Sequence, residues 1–243
     1  MVQQAYLEVV RQSDPTAISP LVKERVFYYS LKRLLDVSVA ILALVILSPL
    51  FIVIAVWIIL DTGLPIFFTH NRVGARRLTR NGFSYWQQTT FILYKFRTMV
   101  QDADESTHRA FIKNRVKECD LPDDAYYQFK ANDPRVTRSG KILRRTSLNE
   151  LPQLVNVLKG EMSLVGPRPV SPYEADEYQA WHKERLACLP GITGLWQVSG
   201  RLDTSFDYMI RKDIEYIHNQ SLWLDLKILF LTIPAVLSCR GAG

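Results

Sequence analysis

The chain has 243 residues, 48% of them hydrophobic, and a net charge of +6. That composition excludes a disordered or repetitive chain and allows one main domain with a substantial core. Its basic balance suits an anionic partner, and a nucleotide, a lipid phosphate, a membrane surface and a nucleic acid all qualify on charge alone.

Residues 1–31 read as a cytoplasmic arm, because MVQQAYLEVVRQSDPTAISP lacks the basic start and early apolar core of a secretory signal. Residues 37–60 form an almost unbroken apolar run, long enough to cross a hydrocarbon core of about 30 Å. Lys23, Arg25, Lys32 and Arg33 precede it, and Arg72, Arg76, Arg77 and Arg80 follow, so both flanks read as cytoplasmic. Ser48 and Pro49 sit near the middle, where the proline ring and missing N–H kink a helix and the serine can satisfy a freed backbone group. The pattern predicts a segment over 32–61 that dips into the membrane and returns, with a kinked single span as the alternative.

Residues 91–97, FILYKFR, alternate as a strand with Lys95 and Arg97 on one face. That face is either solvated or aimed at a phosphate. Residues 101–117 and 171–186 pattern as helices with one polar side, and 120–133 as a charged loop. A short apolar helix through Leu151, Leu154, Val155 and Leu158 stops at Gly160, which puts Asn149 and Glu150 near its start. Unpaired N–H groups there favour anions, and Arg144, Arg145 and Arg168 can add bidentate guanidinium contacts. The same residues also support a structural reading. Ser147 and Glu150 fit a capping box, and Asn149 is a suitable N-cap. Residues 222–237 carry only Asp225 and Lys227 as charges, with Trp223 near the start and Pro234 placed to bend or end the helix. At about 16 residues the stretch is short for crossing a bilayer and fits an interfacial or core helix.

Cys119, Cys188 and Cys239 have neither paired spacing nor an even count, which speaks for a reducing compartment and against a disulfide framework or zinc site. His70, His108, His182 and His218 do not cluster as ligands. Tyr85 and Trp86 beside basic residues raise nucleic-acid binding, but the basic residues bracket an apolar segment and no nucleic-acid motif is present, so no nucleic-acid partner is expected.

Seven segments occur in a telling order: KRLLDV at Lys32, the Ser48-Pro49 pair, YKFRTM at Tyr94, NDPRVTRSGKILRRTSLNELPQL at Asn132, GPRP at Gly166, LPGITGLWQVSGR at Leu189 and WLDLKILFLT at Trp223. Over the span from Lys32 to the C-terminus the chain resembles the bacterial sugar transferase family. These are monotopic phosphoglycosyl transferases that load a sugar 1-phosphate onto a polyprenyl phosphate. The resemblance implies a mixed α/β, mainly helical fold: a single re-entrant membrane hairpin over 32–61, interfacial helices, and a small cytoplasmic catalytic domain over 62–243 at the bacterial inner membrane. It implies a UDP-sugar donor, a polyprenyl phosphate acceptor and Mg²⁺ with Glu150 as ligand. Substrate contacts are expected from Lys95, Arg97, Arg144, Arg145, Arg168 and Arg201, with Asp213 in the surrounding polar network. No residue pattern fixes the sugar or the oligomeric state.

One position departs from the family. Where its members usually read Ser-Leu-Asp-Glu, with the Asp as proposed nucleophile, this chain has Asn149. A neutral carboxamide is a very poor nucleophile. Three explanations stay open: Glu150 acts as nucleophile or base while Asn149 orients phosphate oxygens, the chain is an inactive relative that regulates an active partner, or Asn149 is an introduced substitution.

Overall fold

The computed structural model describes residues 22–23, 25–80, 83–101, 106–117, 133–199 and 205–237. After a short strand, β1 (Val22–Lys23), the chain enters α1 (Val26–Thr62), a single 37-residue helix with Pro49 inside it. The apolar run is therefore the centre of a longer element that also includes Lys32 and Arg33. Tyr28, Lys32, Asp36 and Ala40 are buried at intervals of four, one stripe of the helix, and Ile54 and Ile58 continue the same spacing near its end. Between them the helix is bare: Leu42, Val45, Ile46, Ile52 and Val53 are each about 60% exposed or more. Ser48 Oγ donates to the Val45 carbonyl, 2.8 Å away, beside the proline that cannot donate.

Each end of α1 is tied down by polar contacts. Lys32 Nζ donates to the Val165 carbonyl (3.1 Å) and pairs with Asp225 (3.0 Å), and Asp36 Oδ1 accepts the Leu164 N–H (2.9 Å). At the other end Asp61 Oδ2 accepts from the Ser139 N–H and hydroxyl (2.9 and 2.8 Å).

Strands β2 (Phe67–Arg80) and β3 (Phe83–Phe96) form a 14-residue antiparallel hairpin, with β1 on the outer edge of β3. The strand expected over 91–97 is the final part of β3. Asn81-Gly82, between the two strands in sequence, is a hairpin-favouring dipeptide and is the local signal for its partner. Trp86 is buried and meets the Tyr29 ring edge-on at 5.9 Å, so it serves the core.

Helix α2 covers Ser106–Lys117; residues 102–105 of the helix expected over 101–117 lie outside the described residues, as does the charged loop except for Asp133. Helix α3 (Arg138–Arg145) is capped by Thr137, whose hydroxyl accepts the Gly140 N–H. A 3₁₀ turn (Leu148–Glu150) leads to α4 (Gln153–Lys159), which ends at Gly160 in the left-handed conformation (φ 79°), as the glycine predicts. Strand β4 (Ser163–Val165) then pairs in parallel with β5 (Gly191–Thr193).

The helix expected over 171–186 is broken into α5 (Pro172–Asp176) and a 3₁₀ segment (His182–Leu186). His182 Nδ1 takes the Gln179 N–H at 3.2 Å, and the Tyr178 and Arg185 side chains turn into a buried polar cluster. These contacts replace a regular helical ladder. Helices α6 (Leu195–Ser199), α7 (Phe206–His218) and α8 (Leu222–Leu237) complete the chain. The last is both core and surface. Asp225 and Ile228 face inward, while Trp223 and Phe230 are 78% and 74% exposed.

Candidate functional site

The turn between α3 and α4 carries the acidic position. Ser147 adopts a left-handed backbone (φ 58°, ψ 11°), uncommon outside glycine and worth about 1 kcal/mol or more of strain. It ends α3 abruptly and starts the 3₁₀ turn that carries Glu150 to β3. The capping box is not formed. Ser147 makes no side-chain cap, and the Glu150 carboxylate binds two cations instead of a backbone N–H. Asn149 is not an N-cap either, since Pro152 holds that place for α4 and Asn149 lies within the 3₁₀ turn.

Glu150 Oε1 lies 3.0 Å from Lys95 Nζ and 2.7 Å from Arg168 Nη2, with Arg168 Nη1 3.4 Å from Oε2. Three elements thus converge: the 3₁₀ turn, the end of β3, and the loop after β4. Burial opposes the charge on Glu150, yet Arg168 and Lys95 outweigh it and hold the carboxyl well below its ordinary range. Burial pulls the Lys95 ammonium down, with Glu150 opposing and Arg168 and Arg72 adding to the fall. The result is a carboxylate flanked by two cations, with the Arg168 side chain 33% exposed and open to a ligand. Asn149 is half-buried next to it and makes no side-chain hydrogen bond among the described residues.

The loop bearing Arg168 is set by close backbone packing. A Cβ on Gly166 would clash with the Leu189 carbonyl oxygen, and one on Gly191 with the Gly166 nitrogen, so the GPRP and PGITG segments need glycine to touch. Gly191 donates to the Pro167 carbonyl at 2.8 Å, and Val73 of β2 donates to the Val170 carbonyl at 2.9 Å.

The other expected site residues fall in different places. Arg97 makes different contacts from Lys95. Strand β3 stops at Phe96, and Arg97 caps the end of α1, donating to Thr62 Oγ1 (2.6 Å) and to the Gly63 and Leu64 carbonyls (2.5 and 3.2 Å). Arg144 Nε donates to Thr98 Oγ1 at 3.0 Å, and Arg145 is exposed at the end of α3. Arg201 lies outside the described residues. Asp213 is buried and pairs with Arg185 Nη2 at 2.5 Å. Arg185 was missed by sequence reasoning, because a basic residue on an apparent polar helix face carries no sign of burial. Among the described residues no three His, Cys, Asp or Glu side chains gather as a metal site, and Cys188 is a free, buried thiol.

A family model described as bacterial sugar transferase matches residues 27–239. The chain is 42% identical over 216 residues to the exopolysaccharide production protein ExoY of Sinorhizobium fredii, covering 87% of each. It is also 42% identical to the undecaprenyl-phosphate galactose phosphotransferase of Salmonella typhimurium, over 87% of this chain and 41% of that relative. The galactosyl transferase CpsE of Streptococcus agalactiae shows 42% identity over 87% of this chain and 43% of its own length. The match extends from the start of α1 to the end of α8 and so takes in every element that builds the Glu150 site, which makes this chain a member of the bacterial sugar transferase family.

Proposed function

We propose that the chain transfers a sugar 1-phosphate from a UDP-sugar to polyprenyl phosphate at the cytoplasmic face of a bacterial inner membrane. The observation that carries this reading is the Lys95–Glu150–Arg168 cluster, in which two cations are held in place by one carboxylate. An arriving diphosphate exchanges for Glu150 at these cations, so the charge it needs is organised before it binds. Arg168 offers a guanidinium fork, suited to two phosphate oxygens.

With Asn149 in place of a carboxylate, the reaction proceeds by direct attack. An oxygen of the lipid phosphate bonds to the phosphorus that carries the sugar, the bridge to the other phosphorus breaks, and its electron pair leaves with uridine monophosphate. Glu150, held far below its ordinary range, is a weak base and acts by placing cations. Mg²⁺ would suit hard oxygen donors, and the Glu150 carboxylate with the Asn149 carboxamide oxygen would hold it. The chemistry it would supply is neutralisation of phosphate charge.

The membrane reading is a helix that enters and returns. A straight 37-residue helix would be about 55 Å long. Support comes from both ends of α1 being bonded to the domain that holds Glu150, while the bare apolar middle carries Ser48 and Pro49. Trp223, Phe230 and Ile233 on α8 add an exposed apolar surface suited to the interface.

A second reading rests on Asn149: a silent relative that binds donor or lipid phosphate and regulates an active partner. The test is uridine monophosphate release from a panel of UDP-sugars with polyprenyl phosphate and Mg²⁺, comparing the wild-type chain, Asn149→Asp and Glu150→Gln. Wild-type release that Glu150→Gln abolishes supports transfer. Release only after Asn149→Asp supports the silent relative.

A further inference from the structure

Beneath the GPRP loop lies a buried polar cluster that no element of the reaction above uses. Arg185 is 1% exposed. Its Nη1 donates to Tyr178 OH (2.6 Å), its Nη2 pairs with Asp213 (2.5 Å), and Tyr178 OH in turn donates to Glu174 Oε1 (2.8 Å). The Arg185 guanidinium also lies 3.9 Å from Glu174. A guanidinium removed from water is costly, and a buried ion pair is seldom more stable than an apolar replacement. Its presence therefore calls for a role in geometry.

The remaining contact supplies that role, because Arg185 Nη2 reaches the carbonyl oxygen of Arg168 at 3.4 Å. The loop is already fixed on one side by Gly166 and Pro167 against β5 and on the other by Val170 against β2. Arg168 lies between these anchors, and its own carbonyl meets Arg185. Both residues also line one shallow crevice with Val73, Cys188 and Pro190.

We propose that Arg185 is a positioning residue for Arg168: clamped by Asp213 and Tyr178, it fixes the Arg168 backbone and thereby aims the Arg168 side chain at Glu150 and at the donor diphosphate. The diphosphate half of this statement rests on the transfer reading; the Glu150 half does not. Asp213 then acts at one remove, through Arg185. Lysine at 185 keeps the charge but lacks the planar fork needed to serve Tyr178, Asp213 and the Arg168 carbonyl together.

The test is a pair of double-mutant cycles in lipid nanodiscs. In the first, melting temperatures are measured for wild type, Glu150→Gln, Arg185→Lys and the double variant. Aiming of Arg168 by Arg185 makes Glu150→Gln cost much less once Arg185→Lys is present. A merely structural Arg185 leaves the two losses additive, and that result overturns the proposal whether or not the protein turns over. In the second, Tyr178→Phe, which removes one hydroxyl and keeps the ring, is combined with Arg168→Lys and uridine monophosphate release is followed. Each single change lowers kcat about tenfold, and the double variant is no slower than Arg168→Lys alone. Multiplying losses contradict the proposal. A coupled melting cycle with no wild-type turnover rejects the transfer reading and leaves Arg185 as the residue that aims Arg168.

Discussion

Lys32 and Asp225, 193 positions apart, form a buried ion pair with Nζ 3.0 Å from Oδ2. Tyr28 and Tyr216 donate to the same carboxylate, and Lys32 donates to the Val165 carbonyl, which lies 3.1 Å from the Tyr216 hydroxyl, so α1, α7, α8 and β4 meet at one polar knot. Val165 is three residues before Arg168. At its far end α1 is capped by Arg97, two residues after Lys95. The two ends of α1 are thus bonded next to the two cations that flank Glu150, which links seating of α1 to assembly of the site.

Removing one partner of the Lys32 pair leaves the other charge buried and uncompensated. Asp225→Asn is expected to cost about 3–5 kcal/mol, while the double change Lys32→Met with Asp225→Leu recovers most of it. Thermal melts of the nanodisc-embedded protein check this. A melt unchanged by Asp225→Asn would mean that the knot is not holding α1 to α8.

Glu150 makes stability depend on pH with a definite sign. Its carboxyl is held below the ordinary 4.5 in the folded chain, chiefly against burial and through Arg168 and Lys95. Such a group contributes stability that is present above 4.5 and is lost as pH falls. The melting temperature of wild type should exceed that of Glu150→Gln at neutral pH, and the gap should begin to narrow as pH falls through about 4.5 and go on narrowing toward the depressed folded value of Glu150. A gap that holds its size down to acid pH would show that Glu150 is not paired.

Arg97→Met separates two roles that look alike in sequence. Its guanidinium closes the end of α1 through Thr62, Gly63 and Leu64, whereas Glu150 pairs with Lys95 and Arg168. The change should lower stability by about 1–3 kcal/mol and leave KM for the UDP-sugar within about twofold. A large rise in donor KM with an unchanged melt would return Arg97 to the substrate.

Local signals were legible where a residue acts on its own backbone. Gly160 ends α4, Thr137 caps α3, and the apolar run marks α1. The site was half legible. Glu150, Lys95 and Arg168 were each singled out for their charge, but their pairing spans 55 and 18 positions, which no local period encodes. Lys95 meets Glu150 while Arg97 meets Thr62, Gly63 and Leu64, partners set by elements distant in sequence that two-residue alternation does not encode. Arg185 was hidden for a related reason. Polar residues at helical spacing read as a solvated face, whereas Tyr178, Arg185 and Asp213 satisfy one another inside the protein.

The course of α1 through the membrane turns on Pro49. Replacing it with leucine restores a backbone donor and removes the ring clash, favouring a straight helix that crosses the bilayer. A single reporter thiol placed in the N-terminal arm by Ser13→Cys, with Cys119, Cys188 and Cys239 changed to serine, reads the topology. In cells expressing the chain with Pro49 intact, a membrane-impermeant maleimide should leave the reporter unlabelled, as the proposed entering-and-returning course, with both flanks of the helix inside, requires. Adding Pro49→Leu should expose it on a substantial fraction of molecules. Labelling from outside with Pro49 in place would instead mean a kinked span, and the basic residues on either side of α1 would then lie on opposite faces of the membrane.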